Sequence, residues 1–212
     1  MKEKHFYFYN LIQDKARKIR FVSISLITLL LAILSVFIVT NLDKQKSSDI
    51  QKSIAAEVVR FHVIANSNSL EDQELKLLVR DTITKELEPL FEDVNSIDQA
   101  RLLLSDNLAY IETLSNMVIT SNGFSYSAKA SLENEYFPLK VYGDLALPPG
   151  EYEAIRIELG QAKGENWWCI MFPPLCFVDS TYSVVPDSSK EQLQNVLTDE
   201  EYDEILIEEE DE

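Results

Sequence analysis

Three periodicities divide this chain. From Phe21 to Leu42 no charged residue occurs, and Phe21–Val39 is dense in Ile, Leu, Val and Phe. As a helix rising 1.5 Å per residue, that run covers about 33 Å, enough for a hydrocarbon layer of roughly 30 Å. A polar stretch, 43–55, follows. In VVRFHVIA, Val59, Phe61, Val63 and Ala65 then alternate with Val58, Arg60, His62 and Ile64, the period of a strand. Asn66-Ser67-Asn68 breaks it. Ser69 is placed to cap a helix whose third residue, Asp72, puts a carboxylate near the free amides and the positive dipole end. Leu75, Leu78, Val79, Thr82, Ile83, Leu87 and Leu90 recur at helical spacing as far as Pro89 or Phe91. A second helix starts at Ser96, with Gln99 as its capping-box partner. Its buried stripe is Ala100, Leu103, Leu104, Leu108, Ile111 and Leu114, and Asn122-Gly123 ends it.

After Gly123 the period returns to two. Phe124, Tyr126, Ala128, Ala130 and Leu132 face one way, and Ser125, Ser127, Lys129 and Ser131 the other, as in a half-buried strand. A proline-flanked segment leads to EYEAIRIELG, with Ile155, Ile157 and Leu159 inward. Gly160–Asn166 turns the chain into an apolar strand, Trp167–Phe172. Strand, helix, helix and then several strands read as α+β, with two helices on one face of a mainly antiparallel sheet. The expected organisation is a basic N-tail (1–20), an apolar span (21–42), a stalk (43–55), a folded domain (56–186) and an acidic tail (187–212). In that tail a short helix is expected around Glu191–Leu197, followed by disordered chain.

Charge sharpens this picture. The formal net charge is -17, yet residues 1–20 hold six Lys/Arg against two acids. Residues 187–212 hold twelve Asp/Glu and one Lys. Lys15, Arg17, Lys18 and Arg20 precede the apolar span, so the positive-inside bias puts the N-terminus in the cytoplasm and the domain outside. A cleaved signal peptide is the rival reading. The run is longer than the usual apolar core of such a peptide, and Val39-Thr40-Asn41 is a poor cleavage site, which favours an uncleaved anchor. No segment after the span is basic enough to neutralise phosphates, which excludes nucleic acid as a partner.

Candidate chemistry is sparse. Beyond the span His62 is the sole imidazole. As a general base it would need an orienting carboxylate and a nucleophile, for which Asp72 or Asp81 and Ser67 or Ser69 qualify by type. The plainer reading is a histidine hydrogen-bonded on a mixed strand face. No G-x-S-x-G, H-E-x-x-H or phosphate loop occurs, and one histidine with two cysteines gives no standard metal spacing, so neither metal nor cofactor is expected. Both tryptophans and both cysteines fall in Trp167–Cys176. Outside the cytoplasm Cys169 and Cys176 can bridge if the chain doubles back at Pro173-Pro174, most easily through a cis proline; two separate buried thiols are the alternative. Trp167 and Trp168 point to opposite faces of a strand. One is expected in the core and the other at a partner surface, or else both pack and the block is a central core strand.

Two strings, RFHVIANSNSLEDQELKLLVRD (Arg60 to Asp81) and YGDLALPPGEYEAIRIELGQAKGENWWCIMFPPLCF (Tyr142 to Phe177), resemble stage II sporulation protein R of endospore-forming bacteria. The resemblance spans essentially the whole domain and leaves out the acidic tail. It implies a protein made in the forespore and exported to the space between two membranes. There it triggers the sigma-E-factor processing peptidase, a membrane aspartic protease that removes the pro-sequence of pro-sigma-E. Members are usually secreted, and this chain looks like an anchored form. Under that reading Trp167, Trp168, His62, Asn66 and Arg80 are the candidate partner contacts, with no catalytic residues. The alternative is a membrane-anchored hydrolase acting on cell-wall material with His62 as base.

Overall fold

The computed structural model describes residues 2–176 and 185–207. The chain divides into two units, Met1–Asp49 and Ile50–Glu212. The described residues of the first are all helical, as part of α1 (Lys2–Glu57). Leu29 to Leu42 carry large apolar side chains that stay exposed, and the helix is long and apolar enough to cross a membrane.

The second unit is α+β. Its elements after α1 are β1 (Val59–Ile64), α2 (Leu70–Phe91), α3 (Ile97–Ser121), β2 (Ala128–Phe137), β3 (Lys140–Tyr142), β4 (Leu145–Leu147), β5 (Gly150–Leu159), β6 (Asn166–Phe172), α4 (Asp187–Val196) and α5 (Asp199–Ile205). Ser69 and Ser96 cap α2 and α3, each accepting from the backbone N–H three residues on, as their sequences predict. The strand expected from Phe124 begins only at Ala128 and runs on to Phe137.

The sheet order is β2-β5-β1-β6, with β3-β4 as a separate hairpin. The sheet is mixed, not mainly antiparallel: β1 runs parallel to β5, with Phe61 opposite Ile155, while β6 pairs antiparallel to β1 and β2 to β5. Because β1 lies between β5 and β6, all six of its residues are buried, and alternation sends them into two cores. Val59, Phe61 and Val63 join Leu75, Val79 and Ile83 of α2 and Leu104 and Ile111 of α3. On the opposite face Phe137, Tyr152, Ala154 and Ile170 meet Ile54, Leu145, Leu193, Tyr202 and Ile205.

That second core corrects two expectations. Residues 43–55 are helical as part of α1, exposed through Asp49 and packed on the domain only from Ile50. The last turns of that helix bury Ile54 and Gln51, and Gln51 Nε2 donates to Glu151 O at 3.1 Å. Ile50 and Ile54 share one side of the last turns of α1, with Val58 just past its end, among polar neighbours that dominate the local composition. Nor is the acidic segment disordered across its described part: α4 and α5 dock through Leu193, Leu197, Tyr202 and Ile205. Lys190 pairs with Asp144, and Ile207 N–H donates to Asp144 O at 2.9 Å. Residues 177–184 of the expected domain and 208–212 of the tail lie outside the described residues.

Candidate functional site

The two strings meet in space at the ends of β1 and β6. Two loops clasp there, 66–69 after β1 and 160–165 before β6. Asn66 is used on both sides of its amide: Nδ2 donates to Asp72 Oδ2 at 2.8 Å, and Oδ1 accepts from Gln161 N at 2.9 Å. Ser67 Oγ donates to the same carboxylate oxygen at 2.5 Å and Tyr126 OH to the other at 2.6 Å. Asn68 Oδ1 accepts from Glu165 N at 2.7 Å. The approach is close enough to require glycine twice. A Cβ on Gly160, whose φ is +57°, would stand 2.3 Å from Asn66 Oδ1, and one on Gly164 would stand 2.2 Å from Ser67 O. Burial pushes the Asp72 carboxyl up, but hydrogen bonds from Ser67, Tyr126, Asn66 and Ser69 outweigh it and hold the group below its ordinary value. The same carboxylate, with burial, raises the Tyr126 phenol.

From the clasp β6 sends its two tryptophans to opposite faces, as alternation requires. Trp167, half-buried, meets Phe61 edge-on at 5.5 Å, and the Arg80 guanidinium lies 5.1 Å from its ring. Arg80 also pairs with Asp81 at 2.6 Å. On the other face Trp168 stacks on His62, centroids 3.7 Å apart and planes at 14°, with Phe137 edge-on at 4.6 Å. The Lys140 ammonium lies 5.5 Å from the Trp168 ring. Both tryptophans therefore contribute to packing and keep part of their surface, and β6 is an edge strand, not a central one. Cys169 and Cys176 are paired as a disulfide with Cα atoms 5.5 Å apart, and the chain folds back through a cis Phe172–Pro173 peptide.

His62 is buried, and its Nδ1 lies 2.6 Å from Glu135 Oε2. Glu135 is in turn 3.5 Å from Arg156, which bonds Glu133 at 3.0 Å and Glu158 at 2.7 Å. Burial lowers the His62 imidazole below its ordinary value; Glu135 and the neighbouring Asn166 recover only part of that, and Arg156 adds to the lowering. An imidazole so held takes its proton first in the unfolded chain. Stability present above about pH 6.5 is therefore lost as pH falls through the lowered value. Thermal midpoints measured from pH 7.5 to 5.5 should decline for the native protein, and His62→Gln should flatten that decline. Equal slopes in the two proteins would refute the assignment.

Arg60, one residue pair away on the same face, is fully buried. Its Nε donates to Cys169 O at 3.0 Å and its Nη2 to Tyr142 OH at 2.7 Å. The guanidinium lies 4.3 Å from the Phe137 ring, 5.0 Å from Tyr152 and 5.8 Å from Tyr142, with no carboxylate in its ion-pair range among the described residues. Burial lowers its pKa, and Tyr142 and Tyr152 oppose the shift.

The structure thus separates the expected contacts into three places. His62 joins Trp168 on one face, Arg80 joins Trp167 on the other, and Asn66 belongs to the clasp. The catalytic grouping proposed for His62 is not assembled. Asp72 and Ser67 bond each other, Ser69 caps α2 and Asp81 holds Arg80. His62 Nε2 has no hydrogen-bond partner among the described residues, so no hydroxyl or thiol stands where a nucleophile must be. Two clefts among the described residues lie away from these groups. One of about 330 Å³ lies between Phe91, Val94, Pro173 and Val196, and one of about 590 Å³ lies beside Gln51, Arg101 and Tyr152. Neither is lined by His62, Asp72, Arg80 or a tryptophan. Sequence reading misses Glu135, Phe137 and Lys140, which reach this face from the far end of β2 and from β3. Arg60 does carry a signal, as a charge inside an otherwise apolar strand.

Comparison with known proteins agrees with the two strings. The family model described as stage II sporulation protein R matches residues 55–182. Stage II sporulation protein R of Bacillus subtilis (strain 168) is 37% identical over 161 residues, covering 73% of this chain and 72% of that protein. No solved structure matches. With the match running from the end of α1 through β6, the chain belongs to the stage II sporulation protein R family.

Proposed function

We propose that this chain is a sporulation signal that acts outside the cytoplasm, where it activates the membrane aspartic protease that processes pro-sigma-E in the mother cell. Family membership carries the reading, because it supports a sporulation signalling role. The site is consistent with a ligand: its aromatic and cationic groups lie along a sheet edge, and buried His62 has no nucleophile beside it among the described residues. In this reading residues 21–42 anchor the chain in the forespore membrane, and the domain faces the space between the two membranes.

The test is co-expression of the full chain with the protease and pro-sigma-E in a non-sporulating host. Cleavage of pro-sigma-E should rise at least tenfold when the chain is present and should stay high with His62→Gln. Cleavage independent of the chain would overturn the proposal. Loss of cleavage with a folded, exported His62→Gln would place His62 among the essential contacts or catalysts.

A further inference from the structure

The sheet has two edges, β2 and β6, and the chain treats them differently. On β2, Ala128 N–H donates to Asn116 Oδ1 at 2.9 Å and Ala130 N–H to Glu112 Oε2 at 3.1 Å. Side chains of α3 thus take the first outward N–H groups of β2 and keep other strands off the start of that edge.

On β6 the backbone can be followed residue by residue. Ala65 N–H donates to Glu165 O at 3.5 Å, and the antiparallel register continues without a break from Ile64 opposite Asn166 to Arg60 opposite Ile170. Glu165, Trp167 and Cys169 therefore turn their backbone groups toward β1, and Asn166, Trp168 and Ile170 turn theirs outward. Ile170 O is taken, accepting from Leu175 N at 3.2 Å and Cys176 N at 3.1 Å. No backbone bond among the described residues reaches the outward groups of Asn166 or Trp168. Among the described residues, two donors and two acceptors thus have no backbone partner beside a half-buried tryptophan.

We propose that this edge accepts an extended acidic segment of the signalling partner as a fifth strand next to β6. Strand addition of this kind takes affinity from main-chain hydrogen bonds and specificity from alternate side chains. The alternate side chains here would meet cations in a chain whose net charge is -17. Lys140 lies over Trp168 on one face and makes no ion pair among the described residues; Arg80 lies over Trp167 on the other and shares its charge with Asp81. A second copy of the chain fits less well. Pairing β6 with β6 would gather the Lys140 and Arg80 cations of both copies along one seam, and like charges brought together repel. The identity of the partner rests on the signalling reading, whereas the open edge does not.

The test uses the full chain in sporulating cells. Asn166→Pro removes an outward N–H at the first residue of an edge strand, a position that tolerates proline, and leaves the ladder to β1 intact. With export and level unchanged, Asn166→Pro should lower spore yield at least tenfold, while Asn166→Ala should sporulate normally. Lys140→Glu should also lower the yield, and Lys140→Arg should not. Normal sporulation by exported Asn166→Pro would overturn the proposal. Should that variant fail to accumulate, the Lys140 pair decides alone, and equal yields overturn it. A dimer in solution that Asn166→Pro dissolves would assign the edge to a second copy and overturn the partner. Pro-sigma-E cleavage is followed in the same cells. Spore loss with undiminished cleavage would support the edge and refute the protease as its occupant.

Discussion

Deleting residues 187–212 should lower the thermal unfolding midpoint by roughly ten degrees, equivalent to about 3–4 kcal/mol for a domain of this size. The segment is the most acidic in the chain, yet charge does not decide its state. Helix α4 turns Leu193 inward, and α5 adds Tyr202 and Ile205, all against the face that holds Phe137, Leu145 and Ile170. A capping box closes the start of α5: Thr198 Oγ1 accepts from Glu201 N at 3.3 Å, and Glu201 Oε2 accepts from Thr198 N at 2.7 Å. Leu206 then forms a bridge with Leu145 of β4. Deletion would uncover Leu145 and Ile54, both fully buried in the intact protein. A shift under about two degrees, measured by circular dichroism on residues 43–212 and 43–186, would show that the segment adds little.

Arg60→Ala should cost about 3–5 kcal/mol, the range for truncating a large, fully buried side chain. Three rings would lose their common neighbour, and Tyr142 OH and Cys169 O would lose a donor. Arg60→Met separates volume from charge. It fills most of the space and removes a cation that was desolvated without a carboxylate, so its cost should be only about 1–2 kcal/mol. Urea unfolding of the two variants provides the comparison. Equal losses would mean that the hydrogen bonds, not the packing, fix Arg60 in place. The arginine also ties the β3-β4 hairpin to β6 through Tyr142 and Cys169, so the Ala variant should loosen the hairpin more than the sheet.

Where one element sets its own pattern, the sequence was a sound guide. The alternation of Val59, Phe61 and Val63 with Arg60, His62 and Ile64 matches the two faces of β1, and the caps at Ser69 and Ser96 are where their hydroxyls implied. What failed was partnership. A period of two says that a strand has two faces but not which strand lies beside it, so the parallel pairing of β1 with β5 was not legible. Glu135 reaches His62 across 73 residues and sits in LENEYF, where no apolar alternation marks a strand. The short helix expected around Glu191–Leu197 corresponds to α4, but α5 and the docking of both were missed because four buried apolar side chains were outnumbered by exposed carboxylates in a local count. Of the candidate contacts, the opposite facing of Trp167 and Trp168 was readable from the strand, whereas the use of Asn66 in a clasp depends on a loop 95 residues away.

The position of β1 has a consequence for how the chain becomes structured. It is the first strand of the domain, but its two hydrogen-bonding neighbours, β5 and β6, occupy residues 150–172. A chain emerging from its N-terminal end therefore exposes a strand whose six residues are all buried in the finished domain long before either neighbour exists, while α2 and α3 can form from local contacts. Closing such distant pairs is entropically slow. The four-stranded sheet therefore cannot be completed until β6 has been made, about four fifths of the way along the chain.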